Sequence, residues 1–509
     1  MIIKKLRDLL DRREASAPEL ANAYIDMIDA RDGALHAYLH VNRDGVAKAS
    51  AGAQARIDAG EQTLFTGIPL ALDDNLCTED MPATCGSRML DGFRPLYDAS
   101  AVAKLRAQDA VFLGKLNTDE FSMGAATMNS YYGRTANPYE RSYVSGVASG
   151  GAASAVAAGL CAAAIGVDAG GSVCLPAAFC GVTGLRPTFG YVSRSGVAAY
   201  ASCFDQAGPV ATDADDCAAL LAAVSGYCPK DMTTAPLKGV ESQTDTARYA
   251  SNFDVKGLKI GLIRELLDGA ADARVARAVR KAAEWFERAG AVVTETSIPA
   301  LRDGVTAFYL IACAEASANL ARIDGVRYGR RAEGAGNYFD IISKSRGEGL
   351  GLEAKRQILF GTGLLSKAFY DKYYRRAVLA ANIIRAQYAS ALQSADMLLS
   401  PAVLTPPYKA DQASSPFYLP DICQVGPSLA GLPAAVTPCG YIDPVDPHKD
   451  GSGAAPRLQN GAPAAALPIA FMLTGKRFGD FSVLGAVRAY EMDFDRRQPA
   501  VCDGRKGWI

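Results

Sequence analysis

The sequence predicts an α/β protein, and three observations carry that class. Short apolar runs of strand length (Ile68–Leu72, Ala110–Gly114, Ala162–Val167, Leu258–Ile263, Met397–Pro401 and Leu467–Thr474) alternate with segments of helical period. From Val305 to Leu392 long helical patterns dominate. Between residues 144 and 184 glycine and alanine crowd together with almost no charge, which lets backbones approach closely.

In chain order, residues 1–65 read as helical. Leu6, Leu9 and Leu10, then Leu20, Ala23, Tyr24, Met27 and Ile28, recur at helical spacing, and Ser16-Ala-Pro-Glu19 supplies a capping box with Pro18 in the first turn. Ala101–Gln108 reads as a helix between the first two strands. Ser149–Gly159 reads as a small-residue helix, and the strand Ala162–Val167 runs into the turn Asp168-Ala-Gly-Gly-Ser172, with Pro176 near a helix start. Beyond it, Tyr191–Arg194 is the clearest strand and Asp213–Gly226 a helix. Residues 233–252 are polar and connect to the strand Leu258–Ile263 and the helix Ala273–Ala289. Within the long helical region, the aromatic cluster Phe369–Tyr374 at helical spacing reads as packing, not nucleotide stacking. Residues 443–466 are rich in Pro, Gly, Ala and Asp and read as a disordered surface insertion, with Val483–Tyr490 as the last helix.

Composition sets bounds. With 509 residues, 49% of them hydrophobic, the chain can bury a large core. A net charge of −1 offers no basic surface for nucleic acid, so no direct nucleic-acid binding is expected. The first residues carry no signal-peptide core and no apolar run approaches the roughly 18–20 residues of a membrane span, which predicts a cytoplasmic protein without membrane contact. The 12 cysteines contain no Cys-x-x-Cys pair and the histidines are His36, His40 and His448, so no metal site is expected.

The chemistry concentrates at Asp168–Ser172. Its glycines free backbone N–H groups to converge, so Ser172 can act as a nucleophile with the N–H groups of Ala169, Gly170 and Gly171 as an oxyanion hole. Cys174, two residues on, is a second candidate nucleophile if a helix start lowers its pKa, against the plainer reading of a buried filler.

Residues 144–188, together with Gly67–Asn75 and Asp119–Gly124, resemble the amidase signature family. Ala314–Arg322, Asp324–Gly329, Tyr370–Tyr374 and Leu429–Pro433 are similar to the A subunits of tRNA-dependent amidotransferases within it. The resemblance implies a large mixed β-sheet core flanked by helices. It also implies a domain over 66–490 carrying a helical insertion at about 305–392, an N-terminal helical segment over 1–65 and a tail over 491–509. It implies glutamine hydrolysis with ammonia passed to a partner, B and C partner subunits, and no cofactor in this chain.

The family's Lys–Ser–Ser triad is broken here. The triad lysine falls at Asp73 and the bridging serine at Ala148, with Ser149 matching the serine beside it, while Ser172 keeps the nucleophile position. The family's arginine after the nucleophile is Cys174, and the glutamate of its threonine-glutamate-asparagine motif is Met128. The arginine that binds the substrate's α-carboxylate aligns with Gln357 or, less directly, Arg356, and Asp421 matches the acid that holds its amino group; Met123 and Gly124 belong to the substrate side. Lys115 offers no replacement base, since the resembling proteins carry a lysine there beside their catalytic one.

Losing triad members costs about 10⁴ to 10⁶ in rate in better-studied triads, roughly 5–8 kcal/mol. The sequence therefore predicts lost or strongly reduced amide hydrolysis in a binding or scaffolding subunit. Two alternatives stay open: a working amidase or amidotransferase subunit in which Ser172 uses a recruited base, and a non-catalytic protein that binds a small amide or amino acid. The resemblance also implies a cis peptide bond at the bridging position, which packing is expected to preserve at Ala148.

Overall fold

The computed structural model describes residues 1–124, 126–234, 253–334, 336–412, 422–443, 466–497 and 499. Asp421, the connection at 235–252 and nearly all of the 443–466 insertion lie outside these residues.

The chain begins with α1 (Ile2–Asp11) and α2 (Ala17–Leu35), which bury Leu6, Leu10, Leu20, Tyr24 and Ile28. The expected capping box is present: Glu19 N–H donates to Ser16 Oγ at 3.3 Å, and Ser16 N–H donates to Glu19 Oε2 at 2.9 Å. Residues 38–41, inside the stretch expected to be helical, form β1 (Tyr38–Val41) instead, an edge strand antiparallel to β3; α3 (Arg43–Asp58) follows. A four-residue edge strand carries too short a pattern to stand out between two helices.

One mixed sheet organises the rest. The strands β2 (Pro69–Asp73), β3 (Val111–Leu116) and β4 (Ala163–Asp168) run parallel, with β2 in the middle and α4 (Ser100–Arg106) and α5 (Gly150–Ala157) in the connections. After α6 (Cys174–Phe179), β5 (Thr183–Arg186) and β6 (Gln206–Ala211) are antiparallel, and β6 lies beside β4. Beyond α7 (Ala214–Val224), β7 (Lys259–Ile263), α8 (Ala273–Arg288) and β8 (Val292–Thr296) make a parallel unit. The helices α9 (Gly304–Asn319), α10 (Tyr338–Gly349), α11 (Leu352–Leu364) and α12 (Arg375–Ser394) form the helical region, and β9 (Met397–Pro401) returns to the sheet. Finally α13 (Ile422–Ala430), β10 (Ala434–Ile442), β11 (Leu467–Gly475) and α14 (Asp480–Glu491) close it. Among the described residues the order is β1-β3-β2-β4-β6-β5-β10-β11-β9-β7-β8, eleven strands in one sheet.

Tyr191–Arg194, expected as a strand, contributes only an isolated bridge between Val192 and Ser225. The ladder uses Thr183–Arg186 instead, because that segment finds partners on both sides in β6 and β10. By length and composition alone Pro299–Arg322, which is α9 with the turns at its two ends, is apolar enough to cross a membrane. It packs against α11, α12 and α13 and is a core helix.

Two apolar clusters result. One follows the sheet through Leu70, Ile165, Val210 and Phe471. The other joins the turn after β4 to the helical region and holds Phe121, Met123, Ala169, Tyr200 and Phe308 together.

Candidate functional site

The turn after β4 is built on Asp168. Its Oδ1 accepts from Gly171 N–H at 2.8 Å and its Oδ2 from Val173 N–H at 2.7 Å, so one carboxylate closes the loop from Asp168 past Ser172. Arg186 on β5 donates through Nη1 to the same Oδ1 at 2.5 Å and to Ala169 O at 3.1 Å, and through Nη2 to Phe204 O at 2.9 Å. Both partners are buried, which makes this ion pair the anchor of the turn. Tight packing explains the glycines. A Cβ on Gly170 would lie 2.5 Å from Phe308 Cζ, and Gly171, at φ +110°, would place one 2.4 Å from Gln424 Cβ.

Ser172 sits in this turn, 3% exposed. Among the described residues no group hydrogen-bonds its Oγ. Of the three expected oxyanion donors, Gly171 N–H is already committed to Asp168, whereas Gly170 N–H has no acceptor among the described residues. Cys174 does not serve as a nucleophile: it is fully buried, its Sγ lies 3.4 Å from Ala434 O, and burial followed by the nearby Asp168 charge pushes its thiol pKa far up.

Asp73, at the end of β2, is fully buried. Ser149 Oγ lies 2.5 Å from Asp73 Oδ2, and Asn75 N–H donates to Asp73 Oδ1 at 3.0 Å. Burial raises the carboxyl to about 6; the Ser149 and Asn75 hydrogen bonds and Lys115 pull it down, and Asp74 pushes it up. Ser149 Oγ also accepts from Val167 N–H at 3.1 Å, so Asp73 and Ser149 together tie the start of α5 to β2 and β4. The carboxyl at the triad lysine position is thus engaged with the serine beside the bridging position, not with Ser172.

Ala148 is fully buried and offers a methyl group where a hydroxyl would pass a proton. Its N–H donates to Asp119 Oδ2 at 3.0 Å, and its φ is +43°. Among the described residues no peptide bond is cis, so the expected cis geometry at Ala148 is absent. Asp119 is the residue that sequence reasoning passed over. It gathers Thr127 N–H at 3.0 Å and Asn129 N–H at 2.8 Å as well, and burial raises its pKa to about 6. Its place at the head of Asp119–Gly124 was the available signal.

Lys115 is also buried and is fully occupied: Nζ lies 2.6 Å from Leu76 O, 3.4 Å from both Asp74 O and Pro82 O, and 3.6 Å from Asp74 Oδ1. It does not reach Ser172. On the substrate side, Met123 is buried in the cluster with Ala169, and Gly124 packs on the Asp119 carboxyl. Gln357, on α11, is buried and reaches back to the same cluster, accepting from Tyr200 OH at 2.9 Å while its Nε2 donates to Glu353 Oε1 at 2.8 Å. Arg356 points to Glu353 through two hydrogen bonds of 2.8 and 2.5 Å, which neutralise its charge. Asp421 is outside the described residues. The structure therefore unites Asp73 with Ser149, Ala148 with Asp119, and Ser172 with Asp168 and Arg186, but it aligns no base on Ser172 among the described residues.

The amidase family profile matches residues 19–484. The A chain of glutamyl-tRNA(Gln) amidotransferase from Ruminiclostridium cellulolyticum is 41% identical over 506 residues, spanning 98% of this chain and 99% of the relative. The solved A chain of the same kind of amidotransferase from Thermotoga maritima superposes with a TM-score of 0.73 at 30% identity, covering 95% of each chain. The native peptide amidase of Stenotrophomonas maltophilia superposes with a TM-score of 0.79 at 28% identity, over 97% of both chains.

Proposed function

This chain belongs to the amidase signature family and is homologous to the A subunits of glutamyl-tRNA(Gln) amidotransferases, and on that premise we propose that it is a relative of those proteins whose amide hydrolysis is lost or strongly reduced. It acts as a binding or scaffolding subunit for B- and C-type partners, in the cytoplasm. The observation that carries this reading is the pairing of Asp73 with Ser149, which leaves Ser172 without a general base among the described residues. A serine hydroxyl needs a base within about 2.6–3.2 Å to attack a carbonyl at neutral pH. Here the acid nearest the triad position is turned to another hydroxyl, and Ala148 supplies no relay. The test is ammonia release from glutamine, asparagine and simple amides by pure protein, with and without candidate B and C subunits. The reading expects turnover at least 10³-fold below the roughly 10 s⁻¹ typical of enzymes; turnover within tenfold of that value refutes it.

One observation favours a second reading, a protein that holds a small amide or amino acid without cleaving it. The turn keeps its shape, and Gly170 N–H remains open to a carbonyl oxygen. Equilibrium binding of glutamine to the hydrolysis-deficient protein, lost on Gly170→Pro, would support it.

A further inference from the structure

The helix α11 carries apolar side chains on two sides. One side buries Ala354, Gln357 and Gly361 in its packing on α9. On the other, Leu359 and Phe360, together with Phe369 and Tyr373 from the turn that follows, line a groove of about 550 Å³ floored by Leu364. Leu359 is 77% exposed, and Phe360, Phe369 and Tyr373 are exposed as well, with the rings of the last two 5.9 Å apart. An exposed apolar patch of this kind, rimmed by polar residues, marks an interaction surface.

The charge around the groove selects what covers it. Residues 352–376 hold six cations and two carboxylates, in a chain whose net charge is −1. The two carboxylates are already engaged, Glu353 by Arg356 and Asp371 by Arg375. Lys367, Lys372 and Arg376 are exposed and make no ion pair among the described residues. Lys372 Nζ lies 5.3 Å from the centre of the Tyr373 ring, which places one of these charges on the groove wall. No carboxylate lines the groove. A second copy of this chain docked by the same face would set these cations against themselves. A lipid surface is met by apolar side chains that protrude, whereas here the apolar surface is concave and has a floor. The 13 residues of α11 span about 20 Å, which seats roughly three turns of a partner helix.

We propose that this groove docks an acidic amphipathic helix of a partner protein, with the helix's apolar side chains in the groove and its carboxylates on Lys367, Lys372 and Arg376. The surface is separate from Ser172, whose turn contributes nothing to the lining.

Fluorescence anisotropy with two labelled, hydrocarbon-stapled helical peptides tests it. Both carry leucine at the i, i+3, i+4 and i+7 positions, and the remaining positions are glutamate in one and lysine in the other. The glutamate peptide should bind the full-length protein at least tenfold more tightly than the lysine peptide, and its affinity should fall as salt is added. Leu359→Glu and Lys372→Glu alter exposed side chains, so the fold is kept; each should weaken the glutamate peptide at least tenfold, and Lys372→Glu should narrow the gap between the two peptides. Equal affinities for the two peptides, glutamate-peptide binding unchanged by Leu359→Glu, or no binding at millimolar peptide would each overturn the proposal. Co-sedimentation with phosphatidylglycerol vesicles that Leu359→Glu abolishes, or a dimer in analytical ultracentrifugation that the same change splits, would assign the groove to a lipid surface or to a second copy and overturn it likewise.

Discussion

Asp73→Asn makes the buried carboxyl at the triad lysine position directly measurable. Burial raises this group from its ordinary 3.8 to about 6, so the folded protein binds its proton more tightly than the unfolded chain does. Stability contributed by this proton is therefore full at pH values below 3.8 and is lost as pH rises through 6. At 1.36 kcal/mol per tenfold change in proton affinity, the whole effect amounts to about 3 kcal/mol, of which about 2 kcal/mol falls between pH 4.5 and 7.5. Asparagine keeps the shape and cannot ionise. Asp119 and Asp205, raised to about 6 by burial as well, titrate over the same range in both proteins and cancel in the difference. Urea denaturation followed by fluorescence of Trp285, which packs edge-on against Phe286 and Tyr490, gives the free energies at each pH. The expected outcome is that Asp73→Asn gains about 2 kcal/mol on wild type between pH 4.5 and 7.5. A difference that stays constant across that range would mean that Asp73 is not a buried acid with a raised pKa.

Other perturbations probe the neighbouring parts. Asp73→Lys combined with Ala148→Ser should raise glutamine hydrolysis by more than the product of the two single changes, since the proton relay needs both groups; merely multiplicative gains in a steady-state ammonia assay would place the defect in the pocket. Arg186→Met leaves Asp168 buried without its partner and should cost about 3–5 kcal/mol in urea titrations, and a loss under 1 kcal/mol would count against the ion pair as the anchor of the turn. Gly170→Ala drives a methyl group into the Phe308 ring and should lower stability by about 1–3 kcal/mol, with Phe308→Leu in the same chain recovering most of it.

Much of the fold is legible because its strands are apolar runs bounded by turns, and its long helices repeat at 3.6 residues over many turns. The losses have physical causes. β1 is short and half-exposed, so it has too little pattern to interrupt two helices. Tyr191–Arg194 has strand-like composition, but a strand needs a neighbour along its length, and among the described residues this segment finds only the single bridge from Val192 to Ser225. At the site, the substitutions at Asp73 and Ala148 are visible in sequence, whereas the 2.5 Å contact between Asp73 and Ser149 joins residues 76 positions apart and depends on how β2 and α5 pack. Cys174 is ambiguous in sequence, because a cysteine near a helix start reads equally as filler or nucleophile; full burial decides for filler.

The loop around position 172 is closed by Asp168 and held by Arg186, and none of its restraining bonds passes through the serine hydroxyl. Position 172 is in that sense a socket: its side chain is presented by the frame without being part of it. Cysteine or alanine can therefore be exchanged there while the backbone donors stay where they are. A nucleophile could be refitted to this protein, by selection or by design, through changes at Asp73 and Ala148, with no rebuilding of the loop that presents it.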